Sequence, residues 1–138
     1  MPSIELQPPC TLHYEVDDHT DPWTTPEAIL LMHGVAESSA VWYGWVPQLA
    51  RTLRVVRPDL RGLGRSTPMR RDFPWSAEVI IDDMLQLMRA QGHPRFHLVG
   101  AKAAGIVARR FAGALALGAD LALAEDFALS LAFALTLA

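Results

Sequence analysis

With 138 residues, the chain is long enough for one domain with a substantial core and too short for two. An apolar fraction of 51% and a charged fraction of 20% are those of a globular protein. A net charge of −3 gives no electrostatic reason to expect nucleic acid as a partner.

The single Cys10 excludes an internal disulfide and fits a reducing compartment. The start of the chain, Met1 to Pro9, lacks the basic residues and apolar run of a signal peptide, so the expected location is cytoplasmic. Thr11 to Val16 alternates as a strand does and ends at Asp17-Asp18. Ala28 to His33 is a continuous apolar run closed by Gly34, which suits a strand buried on both faces of a parallel sheet. Helical spacing follows around Trp42, Trp45, Leu49 and Ala50, with Pro47 tolerable only near a first turn. Arg54 to Arg57 forms a third strand, stopped by Pro58-Asp59.

The arginines at 51, 54, 57, 61, 65, 70 and 71 cluster in mid-chain; we read them as a solvated rim with loop hydrogen bonds, not as an anion site. From Ser76 to Gln91 the helical pattern is strongest. Ser76 is the N-cap, Glu78 and Asp82-Asp83 favour the N-terminal half, and Ile80, Met84, Leu87 and Met88 form one stripe. Gly92 and Pro94 stop that helix. Phe96 to Val99 is a fourth strand, and a further helix runs from about Ala103 to Ala112. Strands alternating with helices predict an α/β fold with a mostly parallel sheet flanked by helices.

At Gly113 the composition changes. The last 26 residues hold nine alanines and eight leucines, with no Lys, Arg, His or Pro. Asp120, Glu125 and Asp126 leave 12 uncharged residues to the end, too few to span a bilayer. Residues 113–138 are therefore taken as a low-complexity tail on a domain of residues 1–112, and no membrane partner is expected.

Three motifs stand at strand ends. Gly100-Ala101-Lys102-Ala103-Ala104-Gly105 has the outline of a G-x-S-x-G turn from strand to helix, in which tiny residues flank a strained nucleophile position. Gly100 and Ala104 meet that demand and Gly105 lets the helix approach the sheet, but Lys102 stands where serine is expected. His33-Gly34 follows the most apolar strand, about 70 residues earlier. It can aim a backbone N–H at a developing oxyanion, with a second donor from the residue after the nucleophile. Those donors would be Val35 and Ala103. Asp59-Leu60-Arg61-Gly62-Leu63-Gly64-Arg65-Ser66 follows the third strand; Gly62 and Gly64 permit its turns, and Asp59, Arg61 and Ser66 can hold it by hydrogen bonds. No phosphate-binding glycine pattern and no histidine pair with metal-ligand spacing is present, so no metal site is expected.

Together, from about Leu12 to Ala112, these motifs resemble the N-terminal half of the α/β-hydrolase fold family. The resemblance implies cofactor-free hydrolysis of small, often apolar esters or related substrates. Two departures stand against it. Lys102 replaces the nucleophile: a lysine can act as nucleophile or base when buried, yet an amide formed on it would not readily hydrolyse. And the family order of nucleophile, acid and histidine fails, since no histidine follows Lys102. His33 is expected to hold the oxyanion loop, His97 lies in a strand, and His13, His19 and His93 match no catalytic position.

Three readings stay open. One is a hydrolase-derived domain that is truncated, its tail altered by frameshift or early termination. Another is a non-catalytic binding or association module using the same pocket. The third is lysine-dependent carbonyl chemistry at Lys102. If the Phe96–Val99 strand is left as a sheet edge, self-association through it is expected.

Overall fold

The computed structural model describes residues 2–116, and side chains as far as residue 111. Its elements run β1 (Ser3–Leu6), β2 (Cys10–Asp17), β3 (Ala28–Met32), a 3₁₀ turn (Ser39–Trp42), α1 (Val46–Leu49), β4 (Arg54–Pro58), α2 (Ala77–Ala90), β5 (Phe96–Gly100) and α3 (Ala103–Ala116). The sheet order is β1-β2-β4-β3-β5. β1 and β2 pair antiparallel, as do β2 and β4, whereas β4, β3 and β5 run parallel. The α/β architecture is the expected one. The antiparallel share comes from β2 and from β1, a four-residue strand that the sequence reading missed because a stretch so short carries little periodicity.

Every residue of β3 is buried. Leu30 and Met32 face one core with Met84, Leu87, Met88 and Phe111 from α2 and α3. Ile29 and Leu31 face the other with Trp42, Val46 and Ala50. A strand covered on both faces needs apolar side chains at successive positions, which explains its unbroken run. The helical signal around Trp42 resolves into a 3₁₀ turn and a single-turn helix with Pro47 in its first turn, where a missing N–H costs nothing. Ser76 caps α2 by accepting the Val79 N–H at 3.3 Å.

Among the described residues β5 pairs only with β3, so it forms one border of the sheet. α3 passes through Gly113 to Ala116. The rest of the Leu/Ala-rich stretch, 117–138, lies outside the described residues.

Candidate active site

The parallel strands β3, β4 and β5 end side by side, which brings the three sequence motifs together although they are far apart in the chain. Gly100 closes β5. A Cβ there would sit 2.6 Å from the Ala104 carbonyl carbon and 3.0 Å from the Gly105 nitrogen, so no larger residue fits. Lys102 follows with φ +55°, a left-handed conformation that costs an L-residue about 1–2 kcal/mol. Ala103 then starts α3, and the turn is closed by Ala104 N–H to Ala101 O at 3.0 Å and Gly105 N–H to Lys102 O at 2.9 Å.

His33 is fully buried at the end of β3. Its Nε2 accepts the Leu60 N–H at 2.9 Å, which leaves the proton on Nδ1, and Nδ1 donates to Gly34 O at 2.7 Å. Because a trans peptide is planar, holding the Gly34 carbonyl also orients the Val35 N–H on the opposite side of the same unit. Glu37 secures the preceding peptide: its Oε2 accepts the Gly34 N–H at 2.8 Å, and its Oε1 receives the Lys102 ammonium.

The loop after β4 is the brace beneath. Asp59, 1% exposed, accepts the Ser39 N–H at 2.6 Å and the Arg65 N–H at 2.9 Å. Ser66 donates to Asp59 O at 2.6 Å and accepts the His13 N–H at 3.0 Å, tying the loop to β2. Gly64, at φ +56°, packs so closely on Asp59 that an added Cβ would lie 2.9 Å from the aspartate Cβ; Gly62, at φ +79°, is similarly pressed by Met69. Arg61 does more than hold its loop. Its Nε and Nη2 bind both carboxylate oxygens of Asp83 at 2.8 and 2.7 Å, Nη2 also donates to Pro8 O at 2.7 Å, and the guanidinium lies over the Phe73 ring. Elsewhere Arg54, Arg57, Arg65 and Arg70 each pair with a carboxylate, as a rim of solvated and loop-binding arginines should.

Burial pushes the Asp59 carboxyl up, but the N–H bonds from Ser39 and Arg65 outweigh it and hold the group below its ordinary value of 3.8. The Lys102 ammonium, then the Gly34 N–H, hold Glu37 below 4.5. A depressed folded-state pKa contributes stability that is present above the unfolded value and lost as pH falls through the folded one. The contribution of these two groups to the thermal midpoint is therefore level near neutrality and lost below about pH 4, with Asp59 the larger contributor because water screens the Glu37–Lys102 pair. Melting curves against pH check this, and a slope that Asp59→Asn leaves unchanged would contradict it.

Above these loops lies a cavity of about 370 Å³ lined by Val35 and Ala103 together with Leu60, Leu63, Met69, Trp75, Ile80 and Val107. Neither the Val35 nor the Ala103 N–H donates to a protein acceptor among the described residues. Lys102 is not part of the cavity lining; its side chain is 68% exposed and lies over Gly34 toward Glu37. Sequence reasoning left Glu37 without a role and read Asp83 only as an acidic residue favouring the N-terminal half of its helix, not as the partner of Arg61. His97 pairs with Glu27 at 2.7 Å and buried His13 with Glu15 at 3.1 Å, both away from this cavity.

A mixed α/β sheet with parallel β4, β3 and β5, and a strained strand-to-helix turn beside a His-Gly loop, define the class, and comparison with known proteins agrees. Residues 27–114 match the model of the alpha/beta hydrolase fold family, and the chain belongs to that family. It is 38% identical over 105 residues to RutD of Variovorax paradoxus, whose name gives carbamate hydrolysis as its activity; the match takes in 73% of this chain and 36% of that protein. It is 37% identical over 90 residues to a fluoroacetate dehalogenase of a Burkholderia species, covering 62% of this chain and 29% of the relative. The enol-lactonase of Burkholderia xenovorans LB400 superposes with a TM-score of 0.75 at 25% identity, over 83% of this chain and 42% of the lactonase. The chain thus spans well under half the length of these relatives. No helix among the described residues is long and apolar enough to cross a membrane.

Proposed function

We propose that this chain provides the acyl-binding and oxyanion-binding part of an α/β-hydrolase site, taking small apolar esters or related compounds, and that Lys102 marks its nucleophile point without serving as the nucleophile. The observation that carries this reading is the cavity itself. Val35 and Ala103 both line it, and the rest of its lining is chiefly apolar side chains, a surface suited to an acyl group whose carbonyl oxygen takes two N–H bonds. The relatives' names, a carbamate hydrolase, a dehalogenase and an enol-lactonase, support small substrates without choosing among them. Lysine-dependent carbonyl chemistry draws no support from an ammonium that is solvent-facing and bound to a carboxylate, since lysine nucleophiles depend on desolvation.

The test is titration with p-nitrophenyl butyrate, following total tryptophan fluorescence, to which Trp75 in the cavity lining contributes, and nitrophenol release in the same sample. Saturable binding is expected, with release at the buffer rate. Leu63→Trp, which fills the cavity, is expected to weaken binding by about tenfold or more. Binding indifferent to that substitution would overturn the cavity assignment, and release well above the buffer rate that is lost in Lys102→Met would overturn the role given to Lys102.

A further inference from the structure

We infer that Lys102 is a positioning residue whose ammonium latches Glu37, so that the turn after β5 and the loop after β3 are locked as one unit. Three observations converge on this. Glu37 spends one carboxylate oxygen on Lys102 and the other on the Gly34 N–H, so a single side chain joins both segments. The Lys102 stem packs on Gly34: a Cβ on that glycine would lie 3.2 Å from both Cβ and Cδ of the lysine. And the two segments each hold one non-glycine residue in the left-handed region, Ala36 at φ +60° and Lys102 at φ +55°. The Ala36 turn carries Glu37 back to the Gly34 N–H, and the Lys102 turn carries the ammonium out over that loop. Such conformations persist only where surrounding contacts over-determine them, and the latch supplies those contacts on both sides.

The placement gives the latch its consequence. Glu37 is two residues beyond Val35 and Lys102 immediately precedes Ala103. An ion pair between them therefore sets the separation of the two N–H donors that line the cavity. That last step rests on the acyl-site reading above; the latch itself does not. At the point where the fold's strain is normally spent on presenting a nucleophile, this chain presents a cation that stiffens the anion-binding loop.

Amide hydrogen exchange separates the two. In Lys102→Met the Gly34 amide is expected to exchange about fivefold faster than in the native protein, the size of a loss near the upper end for a partly exposed ion pair. Lys102→Arg, which keeps the charge, is expected to restore protection. Raising salt from about 0.1 to about 1 M should speed exchange in the native protein and leave Lys102→Met unmoved. A Gly34 amide equally protected in native and Lys102→Met protein would overturn the latch, as would an arginine variant no better than methionine. The same variants titrated with p-nitrophenyl butyrate read the consequence: affinity should fall in Lys102→Met and recover in Lys102→Arg. Absence of ester binding in every variant, with the exchange pattern as expected, would remove the acyl-site reading and leave the latch standing.

Discussion

Asp83→Ala is expected to lower the unfolding free energy by about 3–5 kcal/mol, the range for removing one partner of a buried ion pair. Asp83 is fully buried and Arg61 is 3% exposed, so the substitution leaves a guanidinium without its carboxylate in the core. Arg61 could not simply turn to water, because it also donates to Pro8 O at 2.7 Å and rests on Phe73. Burial pushes the Asp83 carboxyl up while Arg61 pulls it back, and the hydrogen bonds that Arg61 donates to Asp83 in turn raise the Arg61 guanidinium. The pair is therefore a unit whose halves fail separately. Replacing both at once, Arg61→Met with Asp83→Leu, should cost much less than either single change, since no buried charge is left behind. Urea unfolding measures all three proteins. A loss below about 1 kcal/mol for Asp83→Ala would show that the site relaxes or hydrates freely.

Asp59→Ala is expected to cost about 3 kcal/mol, because it strands the buried Ser39 N–H and the Arg65 N–H at roughly 1–3 kcal/mol each. The damage should travel further than that. The loop begun by Asp59 supplies the Leu60 N–H that fixes His33, and His33 fixes the Gly34 carbonyl. Loss of Asp59 should therefore broaden or shift the Val35 amide resonance as well as lower the denaturant midpoint. Asp59→Asn keeps an acceptor for one N–H only and should fall between alanine and the native residue. A destabilised Asp59→Ala with an unmoved Val35 resonance would break the proposed chain from brace to donor.

Much of the site was legible because its steric demands are severe. Gly100, Gly62, Gly64 and Gly34 stand where a Cβ would collide, so the glycines marked the turns before any contact was known. His33 carried its own signal, a polar residue at the end of an apolar run, and its bonds to Leu60 and Gly34 explain how it is buried. Asp83 was legible in part. Its acidic character marked the helix N-terminal half, but that reading assigned it no burial, whereas its place three residues after Ile80 and four before Leu87 puts it on the buried face, where it needs a cationic partner. That partner, Arg61, lies 22 residues away, and one sequence does not say which arginine is chosen.

Glu37 was not legible. It stands in a loop of unremarkable composition, and its role exists only because Lys102, 65 residues later, folds over the same glycine. The apolar cavity was hidden for the same reason, being formed by side chains of the β3 and β4 loops, α2 and α3 together.

The sequence by itself determined the α/β layering, the three strand-end motifs and the family, since periodicity and steric exclusion act over a few residues and leave a local trace. Where the Lys102 side chain lies was decided by the tertiary structure alone. A lysine at a nucleophile turn is a reactive amine if buried and a tether if exposed beside a carboxylate. That choice is set by burial and by the partner found among the described residues, Glu37, which depend on how β3 and β5 lie side by side and not on any neighbour in the chain.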